Sequence, residues 1–207
     1  MRKVKIGIIE TNFGNIASVV NAVSYLKYNF KVLKKPENLE SFTQLVLPGV
    51  GSFNKAAKKL KKDGWFSAIV KFTQTGKPFL GICLGMQLMF EEGMEDGKIK
   101  GIGLLKGKCE KFKKNKNFPV PHIGYNVVKH TNSKIWEGIP NLSPFYFIHS
   151  YRIAPSKDLN YSSTLHGEKF VSFVEKKNIF GAQFHPEKSH KAGLKLIKNF
   201  VEFTSNV

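Results

Sequence analysis

Pro78-Phe79-Leu80-Gly81-Ile82-Cys83-Leu84-Gly85-Met86-Gln87-Leu88 carries a short apolar run into a cysteine with a glycine two residues to either side. G-x-C-x-G is the thiol counterpart of the G-x-S-x-G elbow, a sharp strand-to-helix turn with its nucleophile at the tip. Neighbouring backbone passes such a turn too closely for a Cβ, which accounts for both glycines. A strand is expected over 78–82, and beyond the turn a helix continuing through Leu88-Met89-Phe90-Glu91-Glu92. A thiol at the first turn of a helix feels the positive end of its dipole, which favours the reactive thiolate. A lone cysteine is ordinarily a buried structural residue. The flanking glycines point instead to a nucleophile, Cys83.

A nucleophilic thiol needs a base, and the base needs a group to orient it. Ile179-Phe180-Gly181-Ala182-Gln183-Phe184-His185-Pro186-Glu187-Lys188-Ser189 offers both. His185 and Glu187 stand two apart, so an extended segment sends their side chains from one face. Pro186 biases His185 away from helix. An imidazole held by a carboxylate can take the thiol proton and later deliver it to a leaving group. Taken alone, H-P-E is a surface turn without chemistry. As a zinc site it lacks a third nitrogen or sulfur ligand at recognisable spacing, and no metal or cofactor is expected.

Working outward, the chain alternates. Val4 to Ile9 reads as a buried strand and Asn15 to Lys27 as a helix with Ile16, Val19, Val20, Val23 and Leu26 on one side. Strands follow at 30–33 and 45–47, then helices at 53–62 and 65–75, the latter closed by Gly76. This rhythm predicts an α/β fold, a mostly parallel central sheet with helices on both faces. From about Lys98 to Gln183 short alternating runs suggest antiparallel additions, and 189–204 reads as an amphipathic closing helix. Neither repeats nor a linker interrupt residues 1–207, which are expected to form one domain.

The 207 residues suffice for an ample core, and 42% hydrophobic content is too high for a disordered chain. No long apolar run suits a membrane span, and the N-terminus enters a strand rather than a signal peptide. Two cysteines do not make a disulfide framework; Cys109, in an alternating run, reads as a reduced structural thiol. A cytoplasmic location is expected. The net charge of +18 gathers in Lys58-Lys59-Leu60-Lys61-Lys62 and around Lys111 to Lys116. Nucleic-acid binding would leave such a footprint. No nucleic-acid motif or interleaved aromatic accompanies it, so solvated faces are the plainer reading, with docking to an acidic partner a third.

The G-x-C-x-G turn followed much later by H-P-E resembles the signature of the class I glutamine amidotransferases, whose fold is flavodoxin-like. Leu45-Val46-Leu47-Pro48-Gly49-Val50-Gly51-Ser52-Phe53 resembles that family's oxyanion strand. The segments Pro121-His122-Ile123-Gly124-Tyr125-Asn126 and Phe145 to Arg152 are similar to those of the HisH branch, glutaminase subunits of imidazole glycerol phosphate synthase. The likeness covers essentially the whole chain. It implies a Cys83, His185, Glu187 triad that hydrolyses glutamine to glutamate and ammonia. It further implies an oxyanion hole at Val50, Gly51 and Leu84, and a glutamine site at Gly49, Gln87, Ser150 and Tyr151.

A partner is implied as well. Ammonium lacks the lone pair that attacks, so ammonia must travel through a dry passage, and no P-loop or dinucleotide fingerprint for an acceptor occurs in this chain. In the HisH branch the second site lies on HisF, a (β/α)8-barrel cyclase that makes imidazole glycerol phosphate and AICAR in histidine biosynthesis. The resemblance puts His122, Tyr125, Tyr146 and Lys188 at that interface or ammonia path. Two departures stand near it: Glu10-Thr11-Asn12-Phe13-Gly14-Asn15 where D-Y-G-x-G-N is usual, and Tyr125 where tryptophan is common. A HisH-like branch that supplies ammonia for amidation of surface-polysaccharide sugars would share the same machinery and stays open as the alternative.

Overall fold

The alternation along the first half of the chain closes into a sheet whose strands Ile6–Ile9, Gln44–Gly49 and Phe79–Cys83 are buried on both faces, with Phe30–Leu33 at the edge. This computed structural model describes residues 4–11, 16–113 and 116–203. In order come β1 (Ile6–Ile9), α1 (Ala17–Tyr25), β2 (Phe30–Leu33), β3 (Gln44–Gly49), α2 (Phe53–Lys62), α3 (Trp65–Gln74), β4 (Phe79–Cys83) and α4 (Leu84–Leu88). There follow β5 (Phe90–Gly93), β6 (Ile99–Lys100), β7 (Leu105–Lys111), β8 (His122–Val127), β9 (Pro144–His149) and β10 (Tyr151–Ile153). The last elements are β11 (Asn160–His166), β12 (Glu168–Lys176), β13 (Ile179–Ala182) and α5 (His190–Glu202).

Among the described residues the main sheet runs β11-β12-β13-β4-β3-β1-β2, parallel from β13 to β2 and antiparallel at β11-β12-β13. Its core strands divide their side chains between two layers. Ile6, Ile8, Val46, Leu80, Ile82 and Phe180 pack with Val19 and Val23 of α1 and Leu196 and Phe200 of α5. Ile9, Leu45, Leu47 and Phe79 pack with Phe53 and Leu60 of α2 and Trp65 and Ile69 of α3. Each such aliphatic or aromatic side chain contributes about 1.5–3 kcal/mol on burial, so this pattern fixes which face each helix covers. The α/β expectation holds, and the strands read as apolar runs because neither face meets water.

The lysine run of 58–62 is the wet side of an amphipathic helix. In α2, Phe53, Ala56, Ala57 and Leu60 are buried, and the last-turn lysines sit where a helix dipole welcomes cations. Ser52 caps the helix, its hydroxyl accepting from the Lys55 amide at 3.4 Å. The additions are mostly antiparallel, as expected: β7 with β10, β5 with β6, and β8 with β9. One addition, β7 against β5, is parallel.

The helix after Cys83 is shorter than expected. It ends at Leu88, and Phe90–Gly93 is a strand, not a continuing helix. The segment 101–105 takes the carbonyls that a longer helix would need: Ile102 N–H bonds Leu88 O at 2.7 Å, and Leu104 N–H bonds Met89 O at 2.8 Å. Tertiary strand partners outcompete the local helix there. The helix begun at Asn15 is described from Ala17, while residues 12–15, 114–115 and Thr204 lie outside the described residues. No helix of the described residues is long and apolar enough to cross a membrane.

Candidate active site

Cys83 closes β4 in a conformation that few L-residues adopt, φ 54° and ψ −108°. Holding it costs of the order of 1–3 kcal/mol, which the packing around it must supply. Both flanking glycines are required by close approach. A Cβ at 81 would lie 2.5 Å from the Met89 sulfur, and one at 85 would lie 1.8 Å from the Leu47 carbonyl oxygen. The turn therefore presses β4 and α4 against β3, with Gly49 paired to Cys83. With five residues in α4, the dipole expected to act on the thiol shrinks to the few amides of its first turn.

His185 arrives on the neighbouring strand. β13 runs parallel to β4, with Ala182 beside Ile82, so both chains leave the sheet at its carboxyl edge. The His185 amide bonds Tyr146 O at 2.8 Å, and its carbonyl accepts from the Ser189 hydroxyl at 2.6 Å. His185 is extended, φ −99° and ψ 94°, as expected, but Glu187 is not. Pro186, with its fixed φ, starts a single 3-10 turn over Pro186–Lys188. Glu187 reaches back from that turn, and its Oε1 lies 2.7 Å from His185 Nδ1, with both side chains 4% exposed.

Among the described residues, that contact leaves the buried Nε2 of His185 without a hydrogen bond of ordinary geometry, and Glu187 Oε2 likewise. The electrostatics nonetheless single out Cys83. Burial disfavours a charged imidazole here, yet the negative sulfur of Cys83 and then the Glu187 carboxylate outweigh it, raising the His185 pKa to about 10.

A cleft of about 550 Å³ opens over this pair. Of the expected residues, Cys83, His185, Glu187, Val50, Gly51, Leu84, Gln87, Ser150, Tyr151 and Lys188 line it. Gly49 stands behind the wall, where a Cβ would meet that of Leu84 at 3.3 Å. Gly51 has φ +97°, and a Cβ added there would meet no described atom within 4 Å. The Ser150 and Tyr151 carbonyls are already used inside the fold, by Phe112 N–H and by the side chains of Gln87 and His149.

Ser52, Pro121, Ile148 and His149 also line the cleft, and two further residues that escaped the sequence reading are Glu95 and Gln183. Glu95 puts a carboxylate on the cleft and accepts from the Phe53 amide at 2.5 Å. Gln183, wholly buried, donates to the Cys83 sulfur at 3.8 Å. The first sits in an acidic stretch of a lysine-rich chain, a signal available but unused. The second lies inside the His185 segment, where nothing in its spacing marks it.

Of the four residues carried over to the partner side, three gather at the cleft mouth. Tyr125 packs edge-on to Tyr146 at 5.5 Å, and the Lys188 ammonium lies 5.7 Å from the Tyr146 ring centre. Tyr125 also donates to the Lys188 carbonyl at 2.8 Å and stacks on His190. His122 departs from this group. It is buried, facing His149 beneath the ribbon, because alternation along β8 turns Ile123, Tyr125 and Val127 outward and His122 in.

Comparison with known proteins identifies the family. A model of the family "Glutamine amidotransferase class-I" matches residues 8–203. The chain is 43% identical over 197 residues to the imidazole glycerol phosphate synthase subunit HisH of Desulfitobacterium hafniense, covering 94% of this chain and 92% of that protein. It is 44% identical over 198 residues to HisH of Methanocaldococcus jannaschii, covering 95% and 98%. In fold it is similar to PurLQS from Thermotoga maritima, TM-score 0.76 at 18% identity, covering 96% of this chain and 98% of that one. These matches span nearly every element described above. The chain belongs to the class I glutamine amidotransferases, among the HisH subunits of imidazole glycerol phosphate synthase.

Proposed function

We propose that the chain is the glutaminase subunit of an imidazole glycerol phosphate synthase in histidine biosynthesis, folded as one domain, with Cys83, His185 and Glu187 as its catalytic triad. The observation that carries this is a cysteine strained at φ 54° beside a buried imidazole whose Nδ1 bonds a carboxylate, both at the carboxyl edge of adjacent parallel strands.

The Cys83 thiolate attacks the side-chain amide carbon of glutamine, and the carbonyl electrons move to oxygen. Leu84 N–H and an amide of the Val50-Gly51 segment receive that oxyanion. His185, held protonated, gives its proton to the amide nitrogen, the C–N bond breaks and ammonia leaves. Water, deprotonated by the now neutral His185, attacks the thioester; glutamate departs and the thiolate returns. Glu187 keeps the ring oriented throughout. Gln87 holds the amino-acid end of glutamine together with the backbone at Gly49, Ser150 and Tyr151. Both Gln87 amide hydrogens are engaged inside the fold, so it offers only an oxygen. Glu95 supplies the negative charge that the substrate ammonium calls for.

Ammonia passes to a HisF-type (β/α)8-barrel subunit docked over the cleft mouth, where Tyr125, Tyr146 and Lys188 stand and His122 lies beneath. The exposed Ile123, Val127 and Ile148 give this ribbon an apolar surface. The test is Cys83→Ala: glutamine hydrolysis disappears, while an ammonium salt still supports the partner's synthase reaction. Surviving hydrolysis would remove the nucleophile assignment. Growth of a histidine auxotroph lacking this subunit, restored by the chain, tests the pathway.

A further inference from the structure

Gln183 is wholly buried, and both partners of its carboxamide are side chains. Its Nε2 donates to the Cys83 sulfur at 3.8 Å, and its Oε1 accepts from Gln87 Nε2 at 3.0 Å. The Gln87 amide also donates to the Tyr151 carbonyl at 3.0 Å. With both Gln87 hydrogens directed at oxygens, that amide has one orientation, and so does Gln183. A flipped Gln183 would set oxygen against the sulfur and lose both bonds.

The same Tyr151 carbonyl accepts from His149 Nδ1 at 2.8 Å. A ring nitrogen facing a carbonyl carries the proton, which leaves His149 Nε2 as an acceptor. His122 Nδ1, 3.1 Å from that nitrogen, therefore donates, and His122 Nε2 accepts from Asn126 Nδ2 at 3.3 Å. Asn126 is locked in turn, donating to Leu165 O at 3.0 Å and accepting from Val127 N–H at 2.8 Å. Neutral rings are required, and burial, aided by neighbouring histidines, provides them, lowering His122 to about 4 and His149 to about 3. Every link has one proton assignment.

We propose that Gln183 is a positioning residue for Cys83, an amide donor that holds the sulfur as thiolate. Its donating orientation is fixed by Gln87, whose two amide hydrogens are held by the Gln183 Oε1 and the Tyr151 carbonyl. The proposal rests on the nucleophile assignment above. Hydrogen bonds to an ionised acceptor are roughly twice as strong as neutral ones, so this donor favours the anion over the thiol.

The test is the pH dependence of iodoacetamide alkylation at Cys83 in the full chain, read by mass spectrometry of the labelled peptide. Gln183→Met keeps the volume and removes the donor: the midpoint moves up, and labelling at neutral pH slows about tenfold. Gln183→Glu moves it further. Gln87→Met, which removes the donor that orients Gln183, gives a smaller shift in the same sense and adds nothing to Gln183→Met, as residues acting in series should. An unchanged midpoint in folded Gln183→Met overturns the proposal, and full additivity of the pair overturns the orienting role of Gln87. If Gln183→Met does not fold, the Gln183 side-chain amide protons of the wild type, followed by NMR, must shift as the Cys83 thiol titrates; silence overturns it. Alkylation reads the sulfur whether or not the chain hydrolyses glutamine. A Cys83→Ala protein that still made glutamate would thus strike the nucleophile assignment and leave this measurement standing.

Discussion

Gly85 lies so close beneath Leu47 that a Cβ at residue 85 would stand 1.8 Å from the Leu47 carbonyl oxygen. The obstacle is backbone of a central strand and cannot step aside. Gly85→Ala therefore forces β3 and α4 apart, at a cost of about 3 kcal/mol or more. Gly51 is the opposite case, with φ +97° and no described atom within 4 Å of an added Cβ. Gly51→Ala meets only left-handed strain, about 1–2 kcal/mol, and keeps the fold while slowing hydrolysis. Urea melts of both variants check this, and a Gly85→Ala protein as stable as wild type would contradict the elbow geometry.

Stability should fall on both sides of neutrality, from different histidines. The folded pKa of His185 is raised to about 10 from 6.5, so its contribution is complete below 6.5 and is lost as pH climbs through 10. His122 and His149 are lowered to about 4 and about 3, so what they contribute is present above 6.5 and fades as pH falls through those values. Glu110, held low by its hydrogen bond to Arg152, adds loss only below its ordinary 4.5. Urea unfolding across this range should show the acid limb starting near 6.5. His149→Phe should flatten that limb, and His185→Gln the alkaline one; limbs unmoved by either change would refute the assignments.

How much of this was legible beforehand depends on which forces were local. The parallel core was legible because strands buried on both faces leave apolar runs, and Gly81 and Gly85 mark the elbow because only glycine fits there. The early end of α4 was not: the amides that capture the Leu88 and Met89 carbonyls come from 102–105, which local propensity cannot see. The inward turn of His122 follows from strand phase, which the motif alone does not set. Gln183 needed coordinates, since its two partners lie about a hundred residues away in sequence.

The second cysteine provides a control. Cys109 is buried at 1% exposure, and burial, with nearby acids adding to it, pushes its pKa well above the ordinary thiol value. Iodoacetamide at neutral pH should label Cys83 and spare Cys109. Cys109→Ser should leave glutamine hydrolysis nearly unchanged while costing about 1–3 kcal/mol of stability, because the hydroxyl has to find a partner in an apolar site. Comparable labelling of both thiols, or a large loss of activity in the variant, would reassign Cys109.

The last expectation concerns the strand that ends at Gly49. Beyond it Val50 and Gly51 line the cleft, Val50 is exposed, and a Cβ added at Gly51 would meet no described atom within 4 Å. A glycine at 51 leaves the peptide that should offer its amide free to turn over, and a missing donor costs about 2.7–4 kcal/mol, or two to three decades of rate. The isolated chain should therefore hydrolyse glutamine slowly. A HisF-type barrel carrying its nucleotide ligand should raise the rate by about that factor, with the change in kcat rather than KM, because the oxyanion exists only past the ground state. Steady-state assays with and without the barrel decide it. Full activity in the isolated chain would mean that the donor is already in place.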